Sequence, residues 1–173
     1  MRSLRLVTLT VTLTAYLAAG PVLASGNEAK LAIDSFNAWC FKAGQTEAQA
    51  RDNMSAGTAP FTLTFWDDSL EPRPADAQRG VERRCEVAFD GDHTAAAIEA
   101  LRIQMATPPV FGTPIPLPDT HAVTPGTTLI EGRELLRGRV AVVHVGLRNA
   151  PHAPVTFMAV DRLYDGLGLP EGS

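Results

Sequence analysis

The chain lacks the short motifs that usually identify a known chemistry. It has no Gly-x-Ser-x-Gly segment, no Cys-x-x-Cys pair, no His-x-x-x-His pair and no glycine-rich phosphate loop. These absences argue against a serine hydrolase of the nucleophile-elbow type, a thioredoxin-type redox protein, a helix-borne zinc site and a nucleotide-binding loop. From spacing alone, the sequence therefore predicts no catalytic residue, no metal ligand and no cofactor.

Long apolar runs are also scarce. Residues 6–19 form one, but threonines interrupt it and it falls short of the roughly 20 residues that span a bilayer. Arg2 and Arg5 precede it, and a small-x-small sequence ends at residue 24, which is typical of a secretory signal peptide. We therefore expect residues 1–24 to be a signal peptide and residues 25–173 to be one periplasmic or secreted domain, with no stable membrane insertion after cleavage.

Basic residues are fewer than acidic ones, 15 against 19, for a net charge of −4. Loss of Arg2 and Arg5 with the signal peptide would leave 13 basic residues and a net charge of about −6. A mildly acidic protein is a poor generic ligand for nucleic acids or anionic membranes. We expect no nucleic-acid partner, and an unidentified envelope or extracellular protein as the partner.

Cysteine is limited to Cys40 and Cys85. Cys40 lies on the apolar stripe of a predicted first helix, and Cys85 lies on the inward face of a predicted strand that alternates from Val81 to Phe89. Two inward thiols in an oxidising compartment favour a bridge between them. The sequence therefore predicts a Cys40–Cys85 disulfide, with Cα atoms about 5 to 6 Å apart.

Hydrophobic periodicity gives the order α-α-β-β-α-β-β-β. Thr46 and Gln49 form a predicted capping box at the start of the second helix, and the third helix follows Asp92. The predicted strands lie at Phe61–Trp66, Val81–Phe89, Thr128–Leu136, Val140–Leu147 and Val155–Leu163. Short connections favour antiparallel neighbours. We expect an α+β fold, namely a five-stranded, mainly antiparallel sheet with helices packed on one face and one disulfide.

Residues 108–127 contain six prolines and should form an extended, partly polyproline II loop. Its side chains Phe111, Ile115 and Leu117 are apolar, so they should pack onto the body of the protein or onto a partner. Trp66 shares a strand face with Thr62 and Thr64. It is either an exposed binding anchor or a side chain covered by this proline-rich loop.

The favoured function is a non-enzymatic binding or accessory module that acts by protein–protein interaction through Trp66, Phe111, Ile115 and Leu117. A small periplasmic hydrolase is the alternative, using His144 or His93 with carboxylates. The candidate carboxylates are Asp67, Asp68, Glu131, Glu134 and Asp161. Binding of a small apolar ligand between sheet and helices is a third hypothesis. A pocket that gathers a histidine with carboxylates would favour the enzyme.

Overall fold

The computed structural model describes residues 22–54, 60–119, 121 and 123–164. The elements are α1 (Val22–Trp39), α2 (Glu47–Met54), β1 (Thr62–Asp67), β2 (Val81–Asp90), α3 (Thr94–Ala106), β3 (Thr113–Ile115), β4 (Thr127–Glu134), β5 (Val140–Asn149) and β6 (Pro154–Leu163). Residues 1–21 of the predicted signal peptide lie outside the described residues, and residues 22–24 begin α1. No helix within the described ranges has the length and apolarity to cross a bilayer.

One antiparallel sheet with the order β1-β2-β6-β5-β4-β3 forms the centre of the fold. The α+β class is confirmed, but the predicted number of five strands is wrong. The sixth strand is β3, which lies inside the proline-rich loop and pairs with β4 from Thr113↔Glu134 to Ile115↔Gly132.

The proline content of residues 108–127 is the reason why the sequence did not predict β3. Proline has no N–H to donate to a strand ladder, so strands that contain it occur at sheet edges. Pro114 is in this position, because β3 is the last strand of the sheet. Gly132 allows the close approach, since a Cβ there would lie 2.8 Å from the carbonyl oxygen of Pro116.

The helices form as the sequence predicts. In α1 the buried residues recur at three- and four-residue intervals, at Ala29, Ala32, Ile33 and Phe36. The predicted capping box of α2 is confirmed. Thr46 Oγ1 accepts a hydrogen bond from the Gln49 backbone N–H at 3.2 Å, and Gln49 Oε1 accepts one from the Thr46 N–H at 2.9 Å.

The helices cover one face of the sheet and enclose the main hydrophobic core. Its large members are Phe36, Phe65, Val87, Leu101, Met105, Val143 and Met158. The Cys40–Cys85 disulfide joins the C-terminal end of α1 to β2 within this core, with Cα atoms 5.3 Å apart. The bridge predicted from the two periodicities is therefore confirmed.

A bulge near the start of β2 changes one predicted side-chain direction. Alternation assigns Val81 and Arg83 to the same face, but the register shifts between them. An extra residue moves the side chain to the opposite face. Val81 consequently packs in a second apolar cluster on the sheet face away from the helices.

The second cluster contains Trp66, Val81, Val140, Val142 and Leu163, with Ile115 and Leu117 packed against it. The proline-rich loop supplies part of its cover, and Ala77 of the β1–β2 connection supplies another part. The loop leaves α3 on the helical side of the sheet, forms β3 at the edge and continues over the opposite face as far as β4. The same loop therefore contributes to both sides of the molecule.

Candidate functional site

A groove of about 1140 Å³ opens on the helical side of the sheet, where α1 ends and the proline-rich loop begins. Its walls are residues 108–113 of the loop and the connection between β4 and β5. Its base is formed by strand residues of the sheet, namely Arg83, Ala141, Val160 and Arg162. We call this concavity the groove.

Apolar side chains on the groove walls are left uncovered. Leu136 is 90 % exposed and Val110 is 58 % exposed. Phe111 lies below them in edge-to-face contact with Phe41, with ring centroids 4.6 Å apart. Phe111 also packs on the main core, so close packing restricts the movement of this part of the groove wall. Uncovered apolar side chains around a concave surface are typical of a docking site.

The charges that line the groove have mainly one sign. Five cations line it, Lys42, Arg83, Arg137, Arg139 and Arg162, with Glu134 as the one carboxylate among the lining residues. The whole chain carries a net charge of −4, so this excess of positive charge is local. A cationic concavity attracts anionic ligands and increases their local concentration.

Arg83 lies at the base of the groove, and backbone carbonyl groups stabilise its charge on this buried strand face. Its guanidinium donates hydrogen bonds to the carbonyl oxygens of Lys42 and Cys40, the latter at 3.4 Å, just beyond the end of α1. Cations are favoured beside helix C-termini. Burial, together with the neighbouring Arg162, lowers the pKa of Arg83 to about 10.

Arg137 stands at the tip of the predicted turn between β4 and β5. Its φ of 67° and ψ of 30° lie in the left-handed region, which glycine adopts far more readily than arginine. Leu135 N–H donates to the Arg139 carbonyl oxygen at 2.7 Å and closes the turn. This turn presents Leu136, Arg137 and Arg139 to the groove.

A polar cluster occupies the opposite face of the sheet, and we call it the histidine cluster. Arg84 of β2 binds Asp161 of β6 with two hydrogen bonds of 2.8 Å. Asp161 Oδ2 also lies 3.2 Å from Nε2 of His144, on β5, and 3.6 Å from Nε2 of His121, in the proline-rich loop. Three strands and the loop thus meet at one carboxylate.

The histidine cluster is buried, which determines its protonation. Burial opposes ionisation of Asp161, but hydrogen bonds from His144 and Arg84 outweigh it and hold the pKa below its usual value. Burial lowers the pKa of His121, even though Asp161 attracts a proton to it. His121 is therefore neutral at pH 7 beside an ionised carboxylate.

His121, His144 and Asp161 could hold a metal ion. One donor atom from each lies within 4.8 Å of the other two. Sequence spacing missed this set because the three residues come from a loop and two strands. The sequence did contain one indication of the set, namely a histidine and an aspartate inside otherwise apolar strands. Buried polar residues of this kind need a partner.

The structure separates the four residues proposed for binding. Phe111 lies in the groove, whereas Trp66 belongs to the second apolar cluster on the opposite face, and Ile115 and Leu117 pack against that cluster. Trp66 is 6 % exposed, so the expectation of an exposed anchor is wrong, and the guanidinium of Arg73, from the β1–β2 connection, lies 5.6 Å from the centre of its ring. Trp66 points away from the helices, as predicted, but a second apolar layer forms there.

Of the residues considered for a hydrolase, His144 and Asp161 meet in the histidine cluster, 3.2 Å apart, whereas His93 and Asp67 lie elsewhere. His93 stacks on Phe89, and buried Asp67 accepts hydrogen bonds from Ser69. The one histidine–carboxylate set described above is buried away from the groove. Within the described part of the chain, the residues lining the groove include Glu134 but no histidine.

Comparison of the chain with protein-family models, with curated proteins and with solved structures gave no match.

Proposed function

We propose that the protein is an exported binding module whose groove holds a segment of another envelope or extracellular protein. The occupant that fits the groove is a short acidic segment with apolar side chains. The observation that carries this proposal is the coincidence, in one concavity, of uncovered Val110 and Leu136 with an excess of cations.

Each part of the groove supports a different aspect of recognition. The apolar walls would bury leucine- or phenylalanine-like side chains, which supplies most of the affinity at such interfaces. The cations would pair with carboxylates on the same segment, which increases the association rate and excludes basic partners. Arginine can bind a carboxylate with two hydrogen bonds, and Arg137, Arg139 and Arg162 line the groove without being buried against another carboxylate of the described residues, as Arg83 is against Asp67.

The disulfide supports the exported location. Bridges persist in the periplasm and outside the cell, whereas the reducing cytosol disfavours them. The Cys40–Cys85 bridge and the predicted signal peptide are both compatible with export from the cytosol. Residues 1–24 have the sequence pattern of the signal peptide that would direct this export.

Site-specific photocrosslinking tests the proposal. A photoreactive amino acid replaces Leu136 in the groove, and a matched protein carries it at Ile103, which is 61 % exposed on α3 and outside the groove. We expect a discrete crosslinked protein from the native envelope fraction at position 136 but not at position 103. Equal labelling at both positions, or a crosslinked lipid in place of a protein, would contradict the proposal.

Charge reversal provides a second measurement. Arg137→Glu with Arg139→Glu should abolish the crosslink at position 136, because the groove would then repel an acidic segment. Arg102→Glu, on the exposed side of α3, is the matched control and should preserve it. A crosslink that survives the double reversal would rule out an acidic occupant.

A further inference from the structure

The histidine cluster has the dimensions of a metal site. In a tetrahedral zinc site with bonds of about 2.0 to 2.1 Å, neighbouring ligand atoms lie roughly 3.3 Å apart. Asp161 Oδ2 lies 3.2 Å from His144 Nε2 and 3.6 Å from His121 Nε2. Two edges of such a tetrahedron are therefore already formed, and the third lies within 4.8 Å.

Unpartnered ring nitrogens point to a missing ligand. Both ring nitrogens of His121 and Nδ1 of His144 are buried without a hydrogen-bond partner among the described residues. A buried imidazole normally has a partner, because leaving its nitrogens unpaired costs desolvation free energy. His121 is 4 % exposed, so solvent at the surface does not satisfy it.

We propose that His121, His144 and Asp161 bind a divalent transition-metal ion, with zinc as the representative ion. Two imidazoles and one carboxylate match zinc, whereas calcium and magnesium prefer sets made of oxygen ligands. The expectation of no metal ligands rested on spacing within single segments. Strand pairing and the proline-rich loop bring these residues together instead.

Arg84 acts as the outer partner of this site. Its two hydrogen bonds fix the orientation of the Asp161 carboxylate, as partners of metal-binding carboxylates commonly do. Nε2 of His144 would bind the ion in the neutral tautomer that carries its single proton on Nδ1. The positive charge of Arg84 beside the ion lowers the affinity, so the site should exchange its metal more readily than a four-cysteine site.

The metal would fix the proline-rich loop to the sheet. His121 belongs to the loop, while His144 and Asp161 belong to β5 and β6. A shared ion therefore ties the covering loop to the centre of the sheet. Such an ion stabilises the folded protein because the unfolded chain does not hold these three ligands together.

Zinc titration of the metal-stripped mature protein tests the site. We expect one zinc ion per chain, retained on dialysis and accompanied by a higher Tm. His121→Ala should weaken zinc binding by more than about tenfold, and His144→Gln should do the same. His152→Ala is the matched control, because His152 is exposed between β5 and β6, and its zinc affinity should equal that of the unaltered protein.

NMR of the unaltered protein answers the same question without any variant that could fail to fold. Zinc should shift the ring resonances of His121 and His144 and leave those of His93 and His152 in place. Lack of stoichiometric binding would overturn the proposal. It would also be overturned by unchanged affinity in a folded His121→Ala protein, or by shifts confined to His93 and His152.

Discussion

Arg83 donates a hydrogen bond to the carbonyl oxygen of Lys42 and thereby ties the end of α1 to β2 beside the disulfide. Its Nε lies 3.7 Å from the carboxylate of Asp67, which is itself buried. Removal of Arg83 would leave that carboxylate without its cation. We therefore expect Arg83→Met to lower the free energy of unfolding by about 3 kcal/mol in a urea titration.

The second half of this test uses a compensating change. Adding Asp67→Asn to Arg83→Met removes the uncompensated carboxylate and should recover part of the loss. Arg102→Met, at an exposed position of α3, should change the free energy of unfolding by less than about 0.5 kcal/mol. Equal losses in the single and double variants would show that the carbonyl contacts alone matter.

Reduction of the disulfide should lower the free energy of unfolding by a large amount. Cys40 and Cys85 are separated by 45 positions, and closing a loop of that length lowers the unfolded-state entropy by an equivalent of about 4 kcal/mol. Denaturation with and without a reductant should show this difference in the free energy of unfolding. Detection of two free thiols in the denatured, unreduced protein would contradict the bridge.

Arg137 combines backbone strain with a position on the groove wall. Arg137→Gly should raise the free energy of unfolding by up to about 1 kcal/mol, because glycine adopts a φ of 67° without the steric cost of a Cβ. The same change should weaken partner binding, since one groove cation is lost.

Arg139→Gly is the matched comparison for Arg137→Gly. Arg139 has an ordinary φ of −66°, so its replacement by glycine should lower stability while removing one cation in the same way. Thermal unfolding and partner binding, measured on both variants, separate strain from charge. A loss of stability in Arg137→Gly equal to that in Arg139→Gly would exclude strain as the distinguishing feature.

Ile115 and Leu117 pack against the second apolar cluster and should contribute to stability. Replacing both by serine should cost about 2 kcal/mol in the free energy of unfolding, because both are half-buried. Urea titration of the double variant measures this loss. An unchanged unfolding midpoint would show that these side chains do not contribute to the packing of the cluster.

The sequence predicted those elements whose signals are local. The capping box at Thr46 and Gln49 depends on a four-residue pattern, and the long strands alternate over enough residues to determine their faces. The Cys40–Cys85 bridge was accessible because each thiol lies in a strong periodic pattern. These features need little information about the rest of the chain.

The features that depend on distant contacts were not predictable. β3 has only three residues, and its pairing depends on the close approach that Gly132 permits. Val81 changes face at a bulge that alternation does not reveal. His144 and Asp161 are 17 positions apart and meet only through the pairing of β5 with β6, with His121 added from the loop. The groove likewise requires three segments in the correct arrangement.

The short edge strand β3 divides the proline-rich loop into two parts that lie on different faces of the sheet. The loop before β3 forms a wall of the groove, and the loop after it contributes His121 to the opposite face. The pairs from Thr113↔Glu134 to Ile115↔Gly132 anchor the intervening chain to β4. Along this connection, displacement of Phe111 in the groove would reach His121 by breaking those pairs. β3 therefore prevents a movement of the loop in the groove from passing along the chain to His121, and any coupling between the two sites would run through β5 and β6, which contribute residues to both.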